Sequence, residues 1–224
     1  REGIATLPEV VPDSRGPEQT IQAVYEAARK PVRDGKFLLG LGGEHSVTTG
    51  LVRAVASRYK NFSVLQIDAH ADLRDEYQGS PYSHAAVMRR IHDMKIDAVG
   101  VGIRNYSAEE ARFIRSAGKP LYSARTCREA KGWIDEVVSM MKPQVYVMID
   151  IDGFDPAFAP GTGTPEPGGL DWFQVNDLLS AVTQQRSVIA ADIVEVRPIP
   201  PNHVTEFLAA RLAYRLIGLA SRRR

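Results

Sequence analysis

Three short stretches of the sequence hold side chains able to ligate a metal: His45 in GGEHS, Asp68, His70 and Asp72 in QIDAHAD, and Asp150 and Asp152 in IDID. Residues two apart in an extended chain point the same way. Asp68, His70 and Asp72 would therefore face one point if strand geometry persists beyond Ile67, and so would Asp150 and Asp152. Carboxylates and imidazoles gathered in this way repel one another and are costly to bury. Two divalent cations, bridged by shared aspartates, remove that conflict. Oxygen-rich, thiolate-free ligation suits Mn(II) better than copper or structural zinc. Each stretch alone has a blander reading. His45 reads as a loop or capping residue, Asp150 and Asp152 as an Asx-turn or helix cap, and QIDAHAD as a polar strand end. Their joint appearance favours the metal pair.

The elements that must position these residues alternate. Apolar runs at 37–41, 64–67, 98–101, 145–149 and 188–194 read as strands. Helices are expected at 20–32, from Ser46 or Thr48 to Tyr59, at 83–94, at 108–117 before Gly118, at 133–141 before Pro143, at 171–184 and at 205–219. Strands separated by helices imply a parallel sheet covered on both faces, here one α/β domain over residues 1–224. In such sheets, sites gather beyond the carboxyl ends of strands. Four of the expected strands run straight into chemistry: Leu41 into GGEHS, Ile67 into DAHAD, Ile149 into DID and Val194 into Glu195.

Composition narrows the function classes. Of 224 residues, 44% are hydrophobic and 25% charged, with a formal net charge of +1, which leaves no electrostatic footprint for nucleic acid. Cys127 is the sole cysteine, so thiolate clusters and an internal disulfide are excluded. No apolar run reaches membrane-spanning length, and the opening REGIATLPEV lacks a signal-peptide core. Arg222, Arg223 and Arg224 read as a solvated tail. A cytoplasmic protein with no nucleic-acid or membrane partner is expected.

Four blocks, LGGEHS, DAHADLRDEYQGSPYSHA, DIDGFDPAFAPGTGTPEPGG and DIVEVRP, follow one another between Leu41 and Pro198. In identity and order they resemble the signature blocks of the ureohydrolase family, which includes arginases and agmatinases. The resemblance implies a three-layer α/β/α sandwich around a mostly parallel sheet, two Mn(II) per subunit, and by analogy a homo-oligomer, trimer or hexamer. It assigns His45, Asp68, Asp72 and Asp150 to one ion and His70, Asp68, Asp150 and Asp152 to the other. The chemistry it implies is hydrolysis of a guanidinium, whose carbon is a poor electrophile because resonance spreads its charge over three nitrogens. Two metal ions lower the pKa of a water shared between them. Glu195 would hold and orient the guanidinium through charge-assisted hydrogen bonds. Asp72 would pass a proton to the leaving nitrogen, and His84 in PYSHA matches the family's proton-shuttle histidine. His92 and His203 match no ligand position and read as structural.

Between Asp72 and His84, where arginases carry Asn and Ser residues that bind an α-carboxylate, this chain has LRDEYQGSPYS instead, which resembles agmatinase. Asp75 and Glu76 in it suit a cationic substrate, or are simply solvated. Agmatine, a small cationic guanidino compound, is the expected substrate, giving putrescine and urea. The alternatives are guanidinobutyrate or arginine as substrate, a catalytically silent metal-binding relative, or a binuclear phosphoesterase, for which Arg74 is the nearest anion-binding candidate. Two departures stand out. Met148 occupies or adjoins a place where the family usually has Ser, and nothing before Val11 resembles the family's amino-terminal region. The resemblance thus covers roughly the C-terminal three-quarters of a typical member, so the amino-terminal part of the sandwich is expected to be missing.

Overall fold

Val145 to Ile149 carries five apolar side chains without a polar interruption, and all five are fully buried. Only a strand covered on both faces accommodates such a run. It lies at the heart of the computed structural model, which describes residues 3–221. In chain order the elements are α1 (Pro17–Arg33), β1 (Leu38–Leu41), α2 (Val47–Arg58), β2 (Phe62–Ile67), α3 (Val87–Asp93), β3 (Asp97–Ile103), α4 (Ala108–Ala117), β4 (Leu121–Ser123), α5 (Ala124–Glu129), α6 (Trp133–Ser139), β5 (Gln144–Asp150), α7 (Trp172–Gln185), β6 (Ser187–Val194) and α8 (Val204–Ser221). The six strands pair in the order β1-β6-β5-β2-β3-β4, every pair parallel.

One face of the sheet is covered by side chains from α5 to α8, including Cys127, Trp133, Val137, Leu178 and Leu212. The other is covered by α1, α2 and α3 through Val24, Val52, Val55, Val87 and Ile91, with Phe113 and Ile114 of α4 alongside. The result is the expected three-layer α/β/α sandwich. Met148 is fully buried within the second cluster, so its apolar side chain serves packing there.

Local chemistry accounts for the element ends. Ser107 and Glu110 form a capping box at the start of α4, and Gly118 ends it at φ 59°. Asp171 and Gln174 do the same for α7. The single helix expected at 83–94 is instead a 3₁₀ turn, His84–Ala86, followed by α3. The amides of Met88 and Arg89 both donate to the carbonyl of Asp72, which breaks the helical ladder at this point. Two elements were not expected: β4 is only three residues long, too short to show a period, and α5 follows it directly, capped by Ser123.

The strand order decides where chemistry can occur. The strands that run into polar residues, β1, β6, β5 and β2, are consecutive neighbours in the sheet. Their carboxyl ends therefore form one continuous rim, at the point where the order reverses direction. Gly153 lets the turn after β5 close on this rim, since a Cβ there would lie 2.9 Å from the backbone nitrogen of Asp68. Among the described residues no helix is long and apolar enough to cross a membrane. The basic run at 222–224 lies outside the described residues.

Candidate metal centre

The alternation expected for Asp68, His70 and Asp72 does not hold. β2 ends at Ile67, the carbonyl of Ala69 accepts from the amides of both Arg104 and Asn105, and His70 bridges to Asn105. Asp72 then turns the chain at φ 51°. These interactions pull the segment off the strand path, and the three side chains diverge into two clusters instead of facing one point.

In the first cluster, Nδ1 of His45 lies 2.9 Å from Oδ2 of Asp72, 3.3 Å from Oδ2 of Asp150 and 3.4 Å from Oδ2 of Asp68. In the second, Nδ1 of His70 lies 3.0 Å from Oδ2 of Asp152 and 3.7 Å from Oδ1 of Asp68. Asp68 belongs to both. His45, Asp68 and Asp72, and likewise Asp68, His70 and Asp152, each offer ligand atoms within 4.8 Å of one another, close enough to hold a metal ion.

Three of the aspartates are aimed by backbone amides. Oδ1 of Asp68 accepts from the His70 amide at 2.6 Å, Oδ1 of Asp150 from the Asp152 amide at 2.9 Å, and Oδ1 of Asp152 from the Ala69 amide at 3.0 Å. Their other oxygens are left to face the histidines. The Asx-turn reading of Asp150 is thus also true: one oxygen caps the 3₁₀ turn Ile151–Gly153 while the other reaches the cluster.

Burial makes the charge problem acute. Asp68, Asp72, Asp150 and Asp152 are all buried. Burial, reinforced by the charges of Asp72 and Asp152, pushes Asp68 up to about 7. Burial, reinforced by Asp152 and Asp68, holds Asp150 well above the usual carboxylate range. For the histidines, burial works against the charge but is outweighed: the hydrogen bond and charge of Asp72, with the charge of Asp68, push His45 up to about 10, and Asp152 with Asp68 push His70 up to about 11. Such a site draws in positive charge. Nε2 of His45 is buried without a hydrogen-bond partner, while Nδ1 faces the carboxylates of Asp68, Asp72 and Asp150. An imidazole set among carboxylates, with no cysteine in either cluster, fits a hard divalent cation.

Glu195 sits at φ 62° just past β6, its amide donating to the Gly43 carbonyl and its Oε1 accepting from the His45 amide at 2.7 Å. Burial raises its pKa, while His45 and the charge of His84 oppose the shift. His84 is exposed, its ring edge-on to Tyr77 at 5.7 Å between centroids. Asp75 pairs with Arg90 at 2.9 Å and Arg89 at 3.4 Å. Arg74 lies over the Tyr77 ring and near Glu110, so it is not aimed at an anion in the metal cluster. His92 stacks edge-on against Phe113, and His203 meets Glu206 at the exposed start of α8.

Sequence reasoning missed several supporting residues. The buried Gln66 amide donates to Oδ2 of Asp68 and to the His70 carbonyl, both at 3.0 Å. Thr164 donates to Oδ2 of Asp152 at 3.2 Å. Asp192, fully buried, accepts from the Tyr146 hydroxyl at 2.7 Å, and its charge helps to raise His45. Glu166 lies 4.0 Å from Nε2 of His70. Gln66 and Asp192 were visible as polar residues inside apolar strands, a signal that could have found them. Thr164 and Glu166 sit in a loop with no period to read.

The model of the arginase family matches residues 3–218. Over 189 residues the chain is 43% identical to an N(1)-aminopropylagmatine ureohydrolase of Synechocystis sp., covering 84% of this chain and 62% of that protein. An agmatinase of Pyrococcus horikoshii is 40% identical over 182 residues, covering 81% of this chain and 62% of the relative. The chain thus spans less than two thirds of the length of either relative. The crystal structure of an agmatine ureohydrolase of Thermoplasma volcanium superposes with a TM-score of 0.83 at 34% identity, covering 93% of this chain and 70% of that one. Since the match runs from before α1 well into α8, the chain belongs to the arginase family.

Proposed function

We propose that this chain hydrolyses the guanidino group of agmatine to putrescine and urea, using two Mn(II) held by His45, Asp68, His70, Asp72, Asp150 and Asp152, with the described residues acting as one catalytic unit. The observation that carries the reading is the pair of Asp–His clusters sharing Asp68, buried carboxylates and imidazoles brought within 4.8 Å of one another. When bound, two divalent cations supply a hydroxide at neutral pH and Lewis acidity toward the substrate.

The chain's own residues do the rest. Glu195, anchored through the His45 amide, offers its remaining carboxylate oxygen to the guanidinium and orients it. Asp72, beside His45 at the rim, takes the proton released in the attack and returns it to the leaving nitrogen, because an amine leaves only when protonated. His84, exposed at the start of the 3₁₀ turn that precedes α3, is the candidate to pass protons between the site and solvent. Relatives named agmatinase and N(1)-aminopropylagmatine ureohydrolase support a substrate with a cationic tail and no α-carboxylate.

The names of the most similar relatives favour a second reading, in which the tail carries an added aminopropyl group. Urea release from Mn-loaded protein, measured over agmatine, N(1)-aminopropylagmatine, arginine and 4-guanidinobutyrate, separates the two. Agmatine is expected to give the highest kcat/KM; faster turnover of arginine or guanidinobutyrate would sink both readings.

A further inference from the structure

One ring nitrogen of His70 points into the metal cluster and the other points out of it. Nδ1 is the atom near Asp152 and Asp68, whereas Nε2 faces Oε1 of Glu166 at 4.0 Å. That carboxylate is itself held, because the side-chain amide of Asn105 donates to the same Oε1. Asn105 is the residue to which His70 bridges along the backbone, and its carbonyl accepts from the Ala71 amide at 3.2 Å. The Glu166 backbone is tied down as well. Arg104 donates through Nη2 to the Glu166 carbonyl at 2.6 Å and to the Asp152 carbonyl at 2.8 Å, and through Nε to the Pro167 carbonyl at 3.2 Å. One guanidinium thus links the Glu166 loop to the turn that carries Asp152.

An imidazole that gives its Nδ1 lone pair to a cation must carry its proton on Nε2. That N–H then needs an acceptor to fix the tautomer and the ring plane, and carboxylates commonly fill this role behind metal-bound histidines. Burial alone does not fix the ring, since the His70 side chain is still 23% exposed. We propose that Glu166 is a positioning residue: braced by Asn105, it closes from 4.0 Å to accept a hydrogen bond from the Nε2–H of His70 and holds Nδ1 toward the ion on that side of the site. This inference rests on the metal-centre reading above.

The test compares Glu166→Ala, Glu166→Gln and Asn105→Ala with the wild-type protein, reading Mn(II) affinity and stoichiometry by calorimetry and metal analysis alongside KM and kcat. Glu166→Ala is expected to weaken one of the two ions by about 10- to 100-fold and leave the other unchanged. Its kcat should recover at saturating Mn(II), with KM for agmatine unaltered. Glu166→Gln keeps an acceptor oxygen and is expected to restore most of the affinity, while Asn105→Ala should shift the same ion in the same direction by less. Unchanged affinity for both ions in Glu166→Ala would overturn the proposal. So would a raised KM with metal binding intact, which would make Glu166 a contact for the substrate tail. Wild-type protein that binds fewer than two ions would overturn the metal-centre reading itself, and this inference with it.

Discussion

The two halves of the site use the same chemistry in opposite surroundings. Around His45 the side chains are sealed: His45 is 1% exposed, Asp68 0%, Asp150 4% and Asp72 8%. Around His70, Asp152 is buried, but the imidazole is 23% exposed and Glu166 32%. The sealed half is fixed by the sheet, because His45 sits between β1 and α2 and its amide is pinned by Glu195. The open half depends on loops after β2, β3 and β5 that meet through Arg104 and Asn105. Enclosure of His45 leaves its ring no water to bond, so a cation is the natural partner. Exposure of His70 means that its aim must be set by neighbouring side chains. The sealed half is therefore expected to hold its ion the more firmly, and the open half to exchange.

Asp68 is the residue the halves share, so Asp68→Asn gives the largest effect. It removes charge from both clusters at once, and losing the several kcal/mol of charge stabilisation that a metal supplies corresponds to about 10³-fold or more in rate. Metal analysis should show at most one ion per chain, and urea release should fall accordingly. Two ions retained with near wild-type turnover would mean that the halves are independent.

Chelation separates them next. Mn-loaded protein dialysed against a chelator is expected to lose its ions in two phases, the open half first. His70→Asn should keep only the slow phase and His45→Asn only the fast one, with affinities differing by about 10- to 100-fold. A single phase, or loss from the sealed half first, would break the comparison.

How far the sequence foretold this contrast depends on range. His45, Asp68, His70, Asp72, Asp150 and Asp152 were legible as candidates because each follows an apolar run that forms a strand. Which of them share a cluster was not. That pairing comes from the sheet order, which sets β1, β6, β5 and β2 side by side, and from the left-handed turn at Asp72, which no local pattern signals. β4 was invisible because three residues carry no period, and Glu166 because its role exists only once three loops meet. Asp75 was legible as an acid, but its pairing with Arg89 and Arg90 depends on where α3 packs.

In metal-free protein the two halves respond to pH in the same direction. Asp68 at about 7 lies above the ordinary carboxylate value of about 3.9, so between these values the folded chain binds more protons than the unfolded one. The same holds for His45 from about 6.5 to about 10 and for His70 from about 6.5 to about 11. A folded state that binds more protons loses stability as pH rises. The metal-free Tm is therefore expected to fall steadily from pH 5 to about 9. Mn-loaded protein should show a much flatter profile, since the cation replaces the protons as counter-charge. A metal-free Tm that rises over this interval would show that the cluster is not protonated as its geometry requires.

The smallest expected effect lies at the edge of the open half. Thr164 is exposed, and its hydroxyl donates to Oδ2 of Asp152 at 3.2 Å, the oxygen that also faces His70. Thr164→Val removes one hydrogen bond, worth about 0.5–1.5 kcal/mol, and water can take its place because the position is open. The ion on the His70 side should weaken by about tenfold at most, with the sealed ion unaffected. Gln66→Leu sharpens the contrast from the buried side, where no water replaces the amide that holds both Oδ2 of Asp68 and the His70 carbonyl. That variant should weaken both ions and by more than Thr164→Val weakens one, because a buried acceptor left unpaired keeps its full desolvation cost. If calorimetry ranked the two substitutions the other way, exposure would not be what distinguishes the halves.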